Sequence, residues 1–225
     1  MINFEYDLGV VGLGYVGLPL AVESANAGLK VIGYDVDPER VHEINNGKSP
    51  IEDISDNELS KASNSFTASD NPSRLSKCHH IVISVPTPLT DYQPDLSYVE
   101  AAAKSVGENL VSNQVIILES TTYPGTTLEV LVPNLEKYSN LKAGSDFFVG
   151  YSPERIDPGN KEWKFKNTPK VISGINEESL EKINSFYKKI IDETVIVKGT
   201  KEAEMVKLLE NTYRHVNIAL INELA

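Results

Sequence analysis

Leu8-Gly9-Val10-Val11-Gly12-Leu13-Gly14-Tyr15-Val16-Gly17 joins a short apolar run to the start of a helical pattern. Its three glycines have the spacing G-x-G-x-x-G, which between a strand and a helix indicates a dinucleotide-binding turn. Gly12 permits the tight turn, Gly14 lets the backbone approach a pyrophosphate, and Gly17 lets the helix pack against the strand. The amino end of the helix can then hold phosphates without a basic side chain. The predicted cofactor contacts in this turn are Gly12, Gly14, Tyr15, Val16 and Gly17.

An acidic residue stands about 20 positions further on, where this turn requires one. Asp35 follows the second apolar run, residues 30–34. Its carboxylate can accept hydrogen bonds from the adenosine ribose and would repel a 2′-phosphate, so we expect NAD rather than NADP. Arg40 is expected to add a contact at the same ribose edge. The alternative is that the glycines serve only tight packing.

The rest of the chain alternates short apolar runs with longer helical patterns, which is typical of an α/β protein. We expect a Rossmann-like, doubly wound parallel sheet followed by the start of a long connecting helix. The predicted strands are 8–11, 30–34, 80–85, 114–118, 147–151, 171–175 and 194–197. The predicted helices are 16–27, 38–46, 96–110, 126–135, 177–190 and 201–225.

The last helical pattern keeps its apolar positions to Ala225 without a glycine or proline stop. We therefore expect an NAD-binding domain over residues 1–199 and the beginning of a truncated central helix over residues 200–225. The alternative is a natural C-terminal helix.

Composition excludes several classes of protein. The 225 residues carry 21 Lys plus Arg against 32 Asp plus Glu, a formal net charge of −11, which argues against nucleic acid or an anionic membrane as a partner. Cys78 is the single cysteine, so neither a disulfide framework nor a multi-cysteine zinc site is expected, and a cytoplasmic location is favoured. No metal is implied, and no apolar run is long enough to predict a signal peptide or a membrane span.

Polar residues on the last helix form a candidate catalytic face. Lys207 and Asn211 are four residues apart and Arg214 lies close to the same stripe. A cation, an amide and a guanidinium on one face can stabilise an oxyanion and hold a charged substrate. The alternative is a solvated polar face. Two loops, 120–127 and 151–160, follow predicted strands at the edge where open α/β sheets bind ligands.

Five motifs together resemble the UDP-glucose/GDP-mannose dehydrogenase family. They are Gly-Tyr-Val-Gly-Leu-Pro-Leu (14–20), Val-Pro-Thr-Pro (85–88), Ser-Thr-Thr-Tyr-Pro-Gly-Thr (120–126), Ser-Pro-Glu-Arg-Ile-Asp-Pro-Gly-Asn (152–160) and Lys207-x-x-x-Asn211. The version at 152–160 looks most like the UDP-N-acetylhexosamine 6-dehydrogenase branch, because UDP-glucose enzymes usually continue Pro-Glu-Phe-Leu. A second acidic residue typical of that loop is Pro158 here, so its role cannot be transferred.

The resemblance implies oxidation of a sugar C6 alcohol to a carboxylate with two NAD+, as in surface-polysaccharide precursor synthesis. It implies that Lys207 and Asn211 stabilise oxyanions, that Glu154 acts on the hydrolytic water, and that Thr121 binds near that water and the cofactor. The cofactor contacts that it adds are Pro86, Thr87, Ser120 and Thr121. The substrate contacts that it implies are Glu154, Arg155, Lys207, Asn211 and Arg214. Arg155 has an equal alternative, an ion pair with Asp157 or a neighbour.

The family's nucleophilic cysteine lies downstream of the long helix, as does its second nucleotide-sugar domain. Cys78 has no motif around it and is expected to be structural, so we expect these residues to bind NAD without completing the oxidation. The resemblance also implies a homodimer or higher homo-oligomer. The remaining alternatives are a UDP-glucose 6-dehydrogenase, a β-hydroxyacid dehydrogenase and a non-catalytic NAD-binding module.

Overall fold

The computed structural model describes residues 3–155 and 165–225. The strands are β1 (Tyr6–Val11), β2 (Val31–Tyr34), β3 (Phe66–Ser69), β4 (Cys78–Ile83), β5 (Leu89–Thr90), β6 (Gln93–Pro94), β7 (Val115–Leu118), β8 (Phe148–Tyr151), β9 (Lys170–Gly174) and β10 (Thr194–Ile196). The α-helices are α1 (Gly17–Asn26), α2 (Pro38–Asn45), α3 (Asp56–Ala62), α4 (Ser97–Gly107), α5 (Val132–Ser139), α6 (Glu177–Tyr187) and α7 (Thr200–Leu224). A 3₁₀ segment spans Pro72–Lys77 and a π segment spans Thr127–Leu131.

Eight of these strands form one sheet in the order β10-β9-β8-β7-β4-β1-β2-β3. The six strands from β3 to β8 in this order are parallel, whereas β9 runs antiparallel to β8 and parallel to β10. The chain proceeds outward from β1 in one direction and then from β4 in the other, so the strand order reverses between β1 and β4. Such a reversal is where doubly wound sheets bind ligands. The predicted Rossmann-like α/β fold is confirmed.

The register brings the ends of five parallel strands into one row. Val11 is opposite both Tyr34 and Ile83, Ile83 is opposite Leu118, and Leu118 is opposite Tyr151. The residues that follow this row therefore meet at one edge of the sheet, here called the carboxyl edge.

Helices cover both faces of the sheet. Leu8 and Val10 of β1 face one apolar cluster with α1, α2, α3 and α6, and Val11 faces the other with α4 and α5. Consecutive strand residues point to opposite faces, so continuous Val and Ile runs fill both clusters. Burial of this apolar surface is the main term that stabilises the sheet.

All seven predicted strands are present, but helix α3, strand β3, the hairpin β5–β6 and the 3₁₀ segment were not predicted. Helix α3 begins at a capping box formed by Ser55 and Glu58, and β3 follows it as a short edge strand in which only alternate residues are buried. The hairpin β5–β6 has two residues in each strand. Each of these elements is too short to give a periodic pattern. The predicted helix 126–135 begins as a π segment that ends at Leu131, two residues before Pro133. Proline has no amide hydrogen to donate, so it interrupts the regular hydrogen bonds of an α-helix.

Helix α7 is the longest element, and its contacts with the rest of the described chain are concentrated in residues 200–210. Ala203 and Glu204 are buried, whereas Met205, Leu209, Ile218 and later apolar residues are exposed. Within residues 3–155 and 165–225, no helix combines the length and the apolarity needed to cross a membrane.

Candidate active site at the carboxyl edge

A cleft of about 670 Å³ opens at the carboxyl edge, where the strand order reverses. Most of the predicted site residues line it. They are Gly12, Gly14, Tyr15, Val16, Asp35, Arg40, Pro86, Thr87, Ser120, Thr121, Glu154 and Lys207. The predicted residues outside the lining are Gly17, Arg155, Asn211 and Arg214. Predicted cofactor and catalytic residues thus share one cavity.

The three glycines of the turn have different structural roles. Gly12 has φ of +91°, and a Cβ there would lie 2.5 Å from the carbonyl oxygen of Ser84. A Cβ at Gly17 would lie 1.9 Å from the carbonyl oxygen of Gly12. A Cβ at Gly14 would meet no protein atom of the described chain within 4 Å, although Gly14 lines the cleft. The fold therefore requires glycine at positions 12 and 17, while Gly14 leaves open space for a ligand.

Asp35 is held against the glycine turn. Its Oδ2 accepts a hydrogen bond from the Leu13 amide at 2.8 Å, and its Oδ1 accepts one from the Asp37 amide at 3.0 Å. Arg40 Nη1 lies 3.3 Å from Oδ2. A carboxylate has about four acceptor positions, so the oriented carboxylate keeps capacity for a ribose hydroxyl.

The amino end of α1 also suits an anion. In the described part of the chain, no side chain caps this helix at Val16, so a ligand can take the place of a cap. The Leu18 amide is already engaged with the Gly14 carbonyl and Pro19 has no amide hydrogen, which leaves the amide of Gly17 for that ligand. An uncapped helix end, open space at Gly14 and an oriented acid at Asp35 together fit the NAD that the sequence predicts.

The loops after β4 and β7 are tied to each other. Ser120 Oγ donates to the Val85 carbonyl at 2.8 Å and accepts from the Val85 amide at 3.0 Å. Thr87 Oγ1 donates to the Thr121 carbonyl at 2.7 Å, and the Tyr151 hydroxyl donates to the Ser120 carbonyl at 3.2 Å. The hydroxyls of Ser120 and Thr87 therefore fix the floor of the cleft, which holds the exposed Thr121 in place.

Helix α7 is docked by a residue that the sequence reasoning missed. The buried Glu204 carboxylate accepts hydrogen bonds from the Gly125 amide at 2.6 Å, the Thr127 amide at 2.7 Å and the Thr127 hydroxyl at 2.6 Å. The Ser-Thr-Thr-Tyr-Pro-Gly-Thr loop is thereby joined to the first turn of α7. The sequence feature that could have indicated this role is an acidic residue directly after Ala203, one helical turn before Lys207.

A buried charge cluster under the cleft was also missed. Lys170 Nζ lies 2.9 Å from Glu119 Oε1 and 3.0 Å from Glu154 Oε2, and the Tyr187 hydroxyl donates to Glu119 Oε1. Lys170 is 4% exposed and Glu119 is 2% exposed. Burial alone would lower the pKa of Lys170, but the two carboxylates outweigh it and raise that pKa above its usual value. The sequence feature that could have indicated this cluster is a lysine directly before the predicted strand 171–175.

Lys207 reaches the cleft from α7. Its half-buried Nζ donates a hydrogen bond to the backbone carbonyl oxygen of Glu154. Burial lowers the pKa of Lys207 below its usual value, against the opposing effect of Glu154. A lysine in this position carries its charge to the Glu154 side of the cleft.

The Arg155 side chain forms an ion pair, which was one of the two predictions for it. Its Nη2 lies 2.6 Å from Glu210 Oε1, its Nε donates to Glu210 Oε2 at 3.2 Å, and its Nη1 donates to the Pro169 carbonyl at 3.0 Å. The partner is therefore Glu210 of α7, which was not predicted. The predicted partner, Asp157, lies outside the described residues, as does most of the motif at 152–160.

The other two polar residues predicted on α7 do not reach the cleft lining. Asn211 and Arg214 lie one and two turns beyond Lys207, and both are exposed. Their predicted contacts with a substrate stay predictions.

Cys78 lies at the beginning of β4, the opposite end of that strand from the cleft. Its side chain is buried, and burial raises the pKa of the thiol to about 12. Its Sγ lies 3.6 Å from the carbonyl oxygen of Arg74. This environment suits a packing residue and not a reactive thiolate.

Comparison with known proteins identifies a family over most of the chain. Residues 6–191 match the family model described as the UDP-glucose/GDP-mannose dehydrogenase family, NAD binding domain. Residues 201–225 match the central domain of that family.

Two curated relatives cover almost the whole chain. UDP-N-acetyl-D-glucosamine 6-dehydrogenase of Pseudomonas aeruginosa is 46% identical over 224 residues, which are 98% of this chain and 52% of the relative. Protein CapL of Staphylococcus aureus is 44% identical over 221 residues, 97% of this chain and 51% of the relative. The chain thus spans about half the length of the curated relatives it matches.

A solved structure gives the same picture. The UDP-D-ManNAc dehydrogenase of Pyrococcus horikoshii superposes with a TM-score of 0.90 at 37% identity, covering 96% of this chain and 52% of that one.

Proposed function

Because the chain belongs to the UDP-glucose/GDP-mannose dehydrogenase family, we propose that it is the NAD-binding part of a UDP-N-acetylhexosamine 6-dehydrogenase. The overall reaction converts a primary alcohol, two NAD+ and one water into a carboxylate, two NADH and three protons. Bound NAD+ supplies the hydride acceptor in each oxidation. The names of the relatives from P. aeruginosa and P. horikoshii support a substrate of this class.

The observation that carries the proposal is the shared cleft. Gly14 and Asp35 lie in the same cavity as Glu154 and Lys207. A dinucleotide held at the glycine turn and at Asp35 can therefore extend towards the two ionisable side chains without leaving the cavity. Hydride transfer needs this proximity between the cofactor and the groups that hold the sugar alcohol.

In this proposal Lys207 stabilises negative charge on the sugar oxygen, because its ammonium group is placed beside Glu154 and partly shielded from water. Asn211 is proposed to add a hydrogen bond, and Arg214 to hold the charged part of the substrate. Glu154 orients or deprotonates the water that enters the second half of the reaction. Thr121 holds that water and the cofactor from the opposite loop. Arg155 shapes the substrate side through its pair with Glu210.

We further propose that these 225 residues bind NAD without completing the four-electron oxidation. Cys78 is the single cysteine of the sequence. It is buried at the beginning of β4, the end of that strand that is farther from the cleft. The covalent step that the family resemblance implies requires a thiolate near the sugar carbon. Residues 1–199 and 200–225 are proposed as the cofactor domain and the beginning of the central helix.

A cytoplasmic site of action, a role in polysaccharide-precursor synthesis and a homo-oligomeric assembly belong to the same proposal. The exposed apolar residues of α7, among them Ile218, Leu220 and Leu224, support an assembly through this helix. Sedimentation of the full-length protein as a monomer would remove this part of the proposal.

The experiment counts the NADH formed per sugar consumed by the full-length protein. The sugars are UDP-N-acetylglucosamine, UDP-N-acetylmannosamine, UDP-glucose and GDP-mannose, each with NAD+. Two NADH from a UDP-N-acetylhexosamine alone is the expected result. Two NADH from UDP-glucose would keep the family and refute the substrate. A small β-hydroxy acid is assayed beside the sugars. One NADH from it would indicate the hydroxyacid class, and no turnover of any substrate would favour a binding module.

A further inference from the structure

Lys170 is a charged side chain buried beneath the cleft and outside its lining. It is the first residue of β9, and because β9 runs antiparallel to β8, this first residue lies at the carboxyl edge. The direction of β9 thus places an ammonium group under the site. If β9 were parallel to β8, its last residues and not Lys170 would lie at this edge.

The surroundings of Glu154 show what this ammonium group does. Glu154 Oε1 accepts a hydrogen bond from the Arg155 amide at 2.7 Å, and Glu154 Oε2 faces Lys170 Nζ at 3.0 Å. The Glu154 side chain is 12% exposed, and the residue lines the cleft. The Arg155 amide and Lys170 together fix the rotation of the carboxylate.

Lys170 is itself anchored from the other side. Glu119 Oε1 lies 2.9 Å from Lys170 Nζ and accepts from the Tyr187 hydroxyl, while Glu119 Oε2 has no hydrogen-bond partner among the described residues. A buried ion pair with an unpaired oxygen adds little to stability, and a well-packed apolar pair would often serve as well. The arrangement therefore suggests a role other than stabilisation.

Resting on the proposed function, we propose that Lys170 is a positioning residue that keeps the Glu154 carboxylate ionised and fixed for its work on water. Without the ammonium group, Glu119 and Glu154 would face each other across the space that it occupies. Two carboxylates that share a site cannot both stay ionised at low cost, so the pair would share a proton. Burial already raises the pKa of Glu119, and the loss of the cation would raise the pKa of Glu154 as well. Glu154 can neither deprotonate nor correctly orient the water while it holds the proton.

Among the described residues, the charged groups in contact with Glu154 include Lys170 of β9 and Lys207 of α7. Glu119, which follows β7, and Tyr187 of α6 act on Glu154 through their charges and contact each other. Removing Lys170 leaves Lys207 as a cation near Glu154, but Lys207 binds the backbone carbonyl and not the carboxylate. Its charge therefore only partly replaces that of Lys170.

The test titrates Glu154 directly by ¹³C NMR of the chain labelled at the glutamate carboxyl carbon, with the signal assigned through Glu154→Gln. Lys170→Met should raise the pKa of Glu154 by roughly 1 to 3, whereas Lys170→Arg, which keeps the charge, should restore most of the original value. An unchanged Glu154 titration in a folded Lys170→Met variant would overturn the proposal.

A second variant keeps the test decisive if Lys170→Met does not fold. Glu119→Gln/Lys170→Met removes the buried charges as a neutral pair and still leaves Glu154 without its cation. The proposal expects a raised pKa of Glu154 here too. A wild-type titration in this variant would show that Lys170 serves only to neutralise Glu119.

Activity of the full-length protein separates this proposal from the proposed function. In the Lys170→Met variant, the acidic limb of kcat/KM should move to higher pH, and Lys170→Arg should move it back. If the wild type forms no NADH from any nucleotide sugar, the proposed function fails, and the NMR titration still decides the role of Lys170.

Discussion

The Glu204 carboxylate accepts both the amide and the hydroxyl hydrogen bonds of Thr127, at 2.7 and 2.6 Å. Glu204 is fully buried and lies one turn before Lys207 on α7. This pair therefore sets where α7 crosses the sheet and how Lys207 enters the cleft.

Replacing Glu204 by Ala should weaken the docking of α7. The substitution leaves the buried donors of Gly125 and Thr127 without an acceptor, and we expect the free energy of unfolding to fall by about 2–3 kcal/mol. Denaturant unfolding of the chain measures this loss. Glu202→Ala, an exposed change on the same turn, is the matched control, and an equal loss in the two variants would contradict the role of Glu204.

Gly14 and Gly17 should respond differently to an added side chain. Gly17→Ala places a Cβ 1.9 Å from the Gly12 carbonyl oxygen, so it should destabilise the chain by about 1–3 kcal/mol or more. Gly14→Val meets no described protein atom near its Cβ, so thermal stability should hold while NAD+ affinity falls about tenfold or more. Thermal melts and calorimetric titration measure the two effects. Unaltered NAD+ binding by the folded Gly14→Val variant would place the pyrophosphate elsewhere.

The carboxylate of Asp35 should control the choice between NAD+ and NADP+. Asp35→Ser removes the negative charge and frees Arg40 to meet a 2′-phosphate, so the ratio of the two dissociation constants should shift towards NADP+ by about tenfold or more. Asp37→Asn is the control, because asparagine can keep the cap on α2 that Asp37 provides. Titration of both cofactors gives the ratio, and an unshifted ratio in Asp35→Ser argues against a ribose contact.

The ionisation of Lys207 should appear in the alkaline limb of the pH profile. Burial lowers the pKa of this lysine, so its charge is present at low pH and is lost as the pH rises through that lowered value. The kcat/KM of the full-length protein should therefore fall at a lower pH than an ordinary lysine would allow.

Two substitutions assign that limb. Lys207→Arg should move it to higher pH, since a guanidinium stays charged, and Lys201→Arg on the exposed side of α7 should leave it in place. If the alkaline limb of kcat/KM does not move in Lys207→Arg, it reports the ionisation of a group other than Lys207.

The sequence was sufficient for the α/β fold class, and most of the residues that it predicted for a site line one cleft. Gly12, Gly14 and Asp35 obey a spacing that follows from backbone sterics and phosphate geometry, so their positions could be deduced locally. Lys170 and Glu204 could not, because their partners are 16 to 79 residues away. Lys170 in particular reaches the site only because β9 runs antiparallel to β8. Strand direction at the end of a sheet depends on packing that a single apolar run does not encode.

A crystal structure of this chain with NAD+ would show whether the cofactor and the catalytic groups share one site. We expect the adenosine ribose hydroxyls on the Asp35 carboxylate, the pyrophosphate over Gly14 at the amino end of α1, and the nicotinamide between Thr121 and Lys207. A cofactor whose ribose lies away from Asp35, or whose nicotinamide points away from Lys207 and Glu154, would contradict a shared site for cofactor and catalytic groups.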